Sequence, residues 1–299
     1  MISWRRRSMW RQLSLLLVGV FFLAACSSPV ASSTLTAPPS TSTAPPVPSH
    51  TLTSAPPVPS STPAPPDLDA SATPEVQLQV CSPLAGYALE DLSSIVSNPY
   101  QPPRPGSDDP HQAVDLAERM DGSGMALAGM PVQAVLPGRV VLAQSDRFPY
   151  GNAVIVETPL EVIPELLRET LPSTGPLWTP NPALSCPEVA QPDDQNPERS
   201  VYILYAHLQD VPQVQVGESL LCGQVIGAIG QSGNALASHL HLEIRAGPAG
   251  WQAAALAHYI NNASLEEMGQ YCTWRVSGIF QHLDPLQWLE AVTTSSTNP

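Results

Sequence analysis

Ser238-His239-Leu240-His241-Leu242-Glu243-Ile244-Arg245 alternates polar and apolar residues with a period of two, the mark of a β-strand with one face in a core. Residues i and i+2 of a strand point the same way. The stretch therefore predicts Leu240, Leu242 and Ile244 facing a core, with His239 and His241 side by side on the opposite face. Two imidazoles at that spacing grip a metal ion if another segment supplies a carboxylate. Alone, they suit an exposed strand with no site equally well.

The sequence upstream of this strand has the same grain. Residues 130–142 (MPVQAVLPGRVVL) read as two strands around the turn dipeptide Pro137-Gly138, and Ala153 to Glu157 follows Tyr150-Gly151-Asn152 as a buried strand. Val201 to Leu208 (VYILYAHL) is a third β-rich run, and residues 217–227 read as strand, turn, strand with glycines at the corners. Short strands without intervening helices predict an all-β fold, a compact antiparallel sandwich or barrel. Two long connections interrupt it. Residues 158–200 contain nine prolines, with a short helix expected within Val162 to Leu171, and residues 247–282 are expected to hold a helix around Ala253 to Tyr259.

Residues 1–25 have the features of an export signal. A basic segment to Arg11 precedes a short apolar run, Leu13 to Ala25, too short for a comfortable membrane span of about 20 residues. The run ends Leu23-Ala24-Ala25-Cys26, which resembles a bacterial lipobox. That resemblance implies cleavage before Cys26, acylation of it and an extracytoplasmic, membrane-anchored protein. Residues 26–75 carry no aromatic side chain and no charge before Asp67, and repeat Ala44-Pro45-Pro46-Val47-Pro48-Ser49 as Ala55 to Ser60. Such a segment buries too little to offset its ordering entropy and reads as a disordered tether, reaching on the order of 150 Å at full stretch. The folded domain is expected over residues 76–299, as a monomer.

Charge narrows the partners. The chain has no lysine, and all 12 of its basic residues are arginines against 26 acidic ones. Four arginines precede residue 26, where there is no Asp or Glu, so the remainder sets eight arginines against all 26 acids. A chain with that balance is a poor match for a nucleic-acid backbone. Cys81, Cys186, Cys222 and Cys272 show no CxxC spacing, and in an exported protein they predict one or two disulfides with three connectivities open.

Among seven histidines, His111-Gln112-Ala113-Val114-Asp115 offers an imidazole and a carboxylate four residues apart, and Tyr205-Ala206-His207-Leu208 ends an apolar strand. With His239 and His241, these supply the three N/O ligands that a catalytic zinc takes while keeping a position open for water. At this point the sequence resembles the lysostaphin-type zinc metallopeptidases, which cut peptide bonds in bacterial peptidoglycan. The resemblance runs from about Cys81 to Leu289. It rests on the H-x-x-x-D motif of His111 and Asp115, the Tyr-x-His-Leu strand and the H-x-H strand after the turn Ser232-Gly233-Asn234. The Val216 to Gly230 glycine pattern and Asp284-Pro285-Leu286 also fit.

The resemblance implies one zinc ion held by His111, Asp115 and His241, with His207 and His239 as catalytic histidines. It also implies peptidoglycan as the substrate. Two departures stand against it: Ala113 where the family has Gly, and the 158–200 insertion, which could lid the groove. The competing reading is a non-catalytic wall-binding module that activates other hydrolases, a route that shows as missing ligands.

Overall fold

The computed structural model describes residues 80–117, 127–163, 165–188 and 198–296, all within the unit Leu68–Pro299. The segments expected as export signal and tether, and Cys26 between them, lie outside the described residues. The strands are Val96–Asn98 (β1), Val114–Leu116 (β2), Pro131–Gln133 (β3), Gly138–Arg147 (β4) and Gly151–Pro159 (β5). A one-turn helix, Glu165–Arg168 (α1), follows. Next come Arg199–Ala206 (β6), Ser219–Leu220 (β7), Val225–Ala228 (β8) and Leu240–Pro248 (β9). Leu265–Arg275 (α2), Gln281–Leu283 (β10) and Pro285–Ser296 (α3) complete the order.

One sheet takes β1, β2, β9, β6, β5, β4 and β7 in spatial order, with β10 also paired to β9, and β3 pairs with β8 in a second sheet. Every pairing is antiparallel. The fold is mostly β, as the alternating pattern predicts. The strands either side of Pro137-Gly138 do not form a hairpin: β3 joins β8, while β4 lies between β5 and β7.

β9 differs from its alternating pattern in one respect. Leu240, Leu242 and Ile244 do pack into a core with Val114, Val154, Ile203 and Trp288. The opposite face is buried too: His241, Glu243 and Arg245 are 6%, 0% and 0% exposed. Residues 247–282 fold back over that face and build a second core, in which Trp274, Phe280, Leu256 and Tyr271 meet Tyr150, Ile155, Tyr202 and Leu204. Alternation along one strand cannot report a cover that arrives thirty residues later.

The helix in this cover is not at 253–259. There the backbone N–H groups donate outward: Ala253 to Val141 O (3.4 Å), Leu256 to Gln144 Oε1 (2.7 Å) and His258 to Phe148 O (2.9 Å). Donors spent on the sheet cannot close helical turns. The helix begins instead at Leu265, where Ser264 and Glu267 form a reciprocal capping box. Closer to expectation, the helix sought within residues 162–171 is the single turn α1, preceded by a 3₁₀ turn at Leu160–Val162. α3 starts where Asp284 Oδ1 accepts from Leu286 N (3.1 Å), with Pro285 in the first turn.

Disulfides join Cys81 to Cys222 and Cys186 to Cys272. The second ties the two long connections to each other. Among the described residues, no helix is long and apolar enough to cross a membrane.

Two glycines set the end of the sheet that matters for function. Gly151 (φ +68°) and Gly233 (φ +70°) pack backbone to backbone, so a Cβ on Gly151 would stand 2.5 Å from Gly233 N and Ser232 C. Asn152 N donates to Ser232 Oγ (2.9 Å), and that hydroxyl donates to Leu208 O (2.8 Å). The contact pins the 232–234 turn against the start of β5 and the end of β6. Gly151→Ala combines a disfavoured φ with overlap on backbone that has nowhere to retreat. It is expected to destabilise the domain by about 1–3 kcal/mol, read as a lowered urea midpoint with unchanged slope.

Candidate metal centre

The sheet register assembles the site. Asp115 and His241 are direct partners across β2 and β9, and Ala206 is the partner of His241 across β6. Partners in an antiparallel pair lie on the same face, so carboxylate and imidazole meet. His207 follows Ala206 at a left-handed φ of 60°, an uncommon conformation for a residue with a side chain. The turn holds it there through His207 N to Tyr150 O (3.0 Å) and the ring Nδ1 to Ser232 O (2.7 Å). His239 enters by an isolated bridge to Gly230, and His111 from the loop before β2. All five residues singled out for the site are brought together.

Each imidazole is turned by its outer nitrogen. A carbonyl can only accept, so His111 Nδ1 donates to Pro99 O (3.1 Å), His207 Nδ1 to Ser232 O (2.7 Å) and His239 Nδ1 to Ala237 O (2.8 Å). His241 Nε2 donates to the Glu243 carboxylate (Oε1, 3.0 Å). In the neutral rings the other nitrogen of each is then a bare lone pair. Three acceptors converge: His111 Nε2, His241 Nδ1 and Asp115 Oδ1, separated by 3.3, 2.9 and 3.0 Å. Asp115 Oδ2 is held by Asn98 Nδ2 at 3.2 Å.

Such a set repels itself unless a cation joins it. Ligand atoms at zinc distances in a tetrahedron stand about 3.3–3.6 Å apart, so a small outward relaxation of these three would accommodate one ion. The residues present fit zinc. His207, His239 and His241 form a second convergent group sharing His241, and His239 Nε2 lies 3.6 Å from Asp115 Oδ1.

The electrostatics agree with the donor set. Burial pushes the Asp115 carboxyl up, but the imidazoles of His111 and His241 beside it outweigh that and hold the group well below the usual carboxylate range. Burial likewise opposes charge on His241, yet Asp115 and Glu243 raise its pKa, so positive charge is drawn to this position. His207 differs. Its burial, reinforced by His241 and His239, lowers its pKa to about 3, which keeps the ring neutral.

These groups line a cleft of ≈ 860 Å³, to which residues 247–282 contribute Tyr259, Tyr271 and Arg275. None of the described residues of the 158–200 insertion lines the cleft. They run instead over the far cover, where Trp178 stacks on His282 at 6.3 Å and bonds to Ser277 O through its backbone N–H (2.7 Å). Ala113 is also accommodated, fully buried and outside the left-handed region.

Residues the sequence reading left without a role are Asn98, Tyr150, Glu243 and Arg275. Glu243 carried a signal, since it stands two residues beyond His241 and so shares its face. Arg275 and Tyr150 carried none.

Residues 195–254 match the model of Peptidase family M23. Among solved structures, the chain is similar to a mutant catalytic domain of the prophage-encoded M23 protein EnpA from Enterococcus faecalis. The identity is 22%, over 53% of this chain and 85% of that one, with a TM-score of 0.31. The catalytic domain of the antimicrobial peptidase lysostaphin from Staphylococcus simulans matches at 18% identity, over 68% and 98%, with a TM-score of 0.34. A zinc-containing peptidase from Vibrio cholerae matches at 18%, over 50% of this chain and 32% of that one, with a TM-score of 0.29. Residues 195–254, which match Peptidase family M23, carry His207, His239 and His241.

Proposed function

We propose that this chain is a zinc-dependent endopeptidase that hydrolyses peptide cross-links of bacterial peptidoglycan, anchored outside the cytoplasm by lipid on Cys26. The observation that carries the chemistry is the convergence of His111 Nε2, Asp115 Oδ1 and His241 Nδ1 within 3.3 Å of one another, beside two further imidazoles whose Nδ1 atoms are already committed. Two neutral histidines and one carboxylate would hold the ion, which supplies polarisation of the scissile carbonyl and activation of water.

The chain's own part is proton handling. His207 and His239 present bare Nε2 atoms, with Nδ1 held by Ser232 O and Ala237 O. Each is set to accept a proton from the attacking water. Once protonated, such a ring stabilises the negative charge developing on the carbonyl oxygen and can return the proton to the departing amine. Neutral His207 begins the cycle in the form a base requires. The substrate class follows from the family resemblance and from the N-terminal address, not from the cleft. A regulatory module without activity would be betrayed by a missing ligand or catalytic histidine, and all five positions are filled.

Two outcomes are expected. The purified chain should carry about one zinc per molecule and cleave defined muropeptides, with products identified by mass. His111→Ala should lose both metal and activity, whereas His207→Ala should keep its zinc while turnover falls about 100- to 10,000-fold. A zinc-loaded chain inert on every cross-link would refute the hydrolase reading. Separately, Cys26→Ala should move the protein from the membrane pellet to the soluble fraction, and retention in the pellet would exclude the lipid anchor.

A further inference from the structure

We propose that Glu243 is the positioning residue of this metal centre, a carboxylate clamped by five donor groups that aims His241 Nδ1 at His111 and Asp115. The inference rests on the metal reading above and extends it to a side chain that is neither ligand nor substrate contact.

The torsion that spins a histidine ring is soft, so something must stop His241 from turning its lone pair away. The Nε2 bond to Glu243 Oε1 at 3.0 Å does this only if the carboxylate is itself immobile. Glu243 is fully buried. Its Oε1 also accepts from Tyr150 OH (2.7 Å) and Arg275 Nη1 (3.0 Å). Its Oε2 accepts from Trp274 Nε1 (2.8 Å), Arg245 Nε (2.8 Å) and Arg245 Nη2. Arg245 lies in turn over the Trp274 ring, 4.5 Å from its centroid. Both carboxylate oxygens are thus bonded on more than one side.

The charge has a second consequence. Arg245 and Arg275 bring two positive charges to the floor of a site that takes a cation, and Glu243 is the acid they share. Without its charge the floor would repel the ion while the ring lost its stop. Two of the five donor groups, Trp274 and Arg275, come from α2, which is tethered at Cys272 to Cys186. The 247–282 connection therefore acts on the metal through Glu243 without touching it.

A merely structural role, neutralising two buried arginines, predicts a different result, and zinc affinity separates the two. The full chain, its Glu243→Gln variant and its Tyr150→Phe variant would be titrated with zinc against a chromophoric chelator, counting folded protein only, alongside melts of the metal-free forms. Glu243→Gln should bind zinc 10- to 100-fold more weakly. Tyr150→Phe removes one clamp and no charge, and should weaken binding by less. A lowered melting temperature with wild-type zinc affinity in both variants would overturn the positioning role. If Glu243→Gln does not fold, Tyr150→Phe decides, and unchanged affinity there counts against the proposal. A wild-type chain that takes up no zinc would overturn the metal reading itself.

Discussion

The pairing of β2 with β9 sets Asp115 opposite His241, and most of the site's geometry depends on that register. β2 is three residues long, and its two flanking residues, Val114 and Leu116, are buried in the core with Leu240 and Leu242. A slip of one residue would drive Asp115 into that core and turn both apolar side chains towards the cleft. The hydrophobic face thus decides where the carboxylate stands. The same logic passes through β6, whose pairing with β9 brings Ala206 to His241 and delivers His207 just beyond the strand end. Asp115, His241 and His207 are therefore placed by packing on the side of the sheet that faces away from them.

The face that holds the chemistry meets a harder constraint. Burying Glu243, Arg245 and much of Arg275 removes three charges from water, a penalty of several kcal/mol for each ion left unpaired. The structure offsets it by sharing one carboxylate between two guanidinia and by adding neutral donors from Tyr150 and Trp274. Farther from the cleft the same face turns aromatic, with Tyr202, Trp251, Trp274 and Phe280 in mutual edge and stacked contacts. The cover is consequently graded, polar beneath the site and apolar behind it.

Much of this was readable in the sequence because it is local. The period of two in residues 238–245 requires a strand, and H-x-x-x-D followed by H-x-H places donor atoms at spacings a strand pair can bring together. What was not readable is what depends on a partner elsewhere. Nothing near Glu243 reports that Trp274 and Arg275 will close over it. Nothing in four cysteine spacings selects Cys186–Cys272 over its alternatives. Residues 253–259 are rich in alanine, yet their N–H groups are taken by Val141, Gln144, Phe148 and Gln270. One signal was present and local: Ser264 with Glu267 three residues on is a capping box, and it marks the start of α2.

The 247–282 connection reaches the site from two directions. At the rim, Tyr259 and Tyr271 donate to Asp108 Oδ2, and Arg275 Nη2 donates to the Asp108 backbone carbonyl at 2.7 Å, tying the cover to the loop that carries His111. Beneath, the same Arg275 reaches Glu243 through Nη1. One guanidinium thereby bridges the wall of the cleft and the floor beneath His241. Any change in the cover that moves Arg275 must disturb both at once. The shape of the groove and the aim of His241 are therefore coupled through one helix, α2, fixed at its N-terminus by the capping box and near its other end by the Cys272 disulfide.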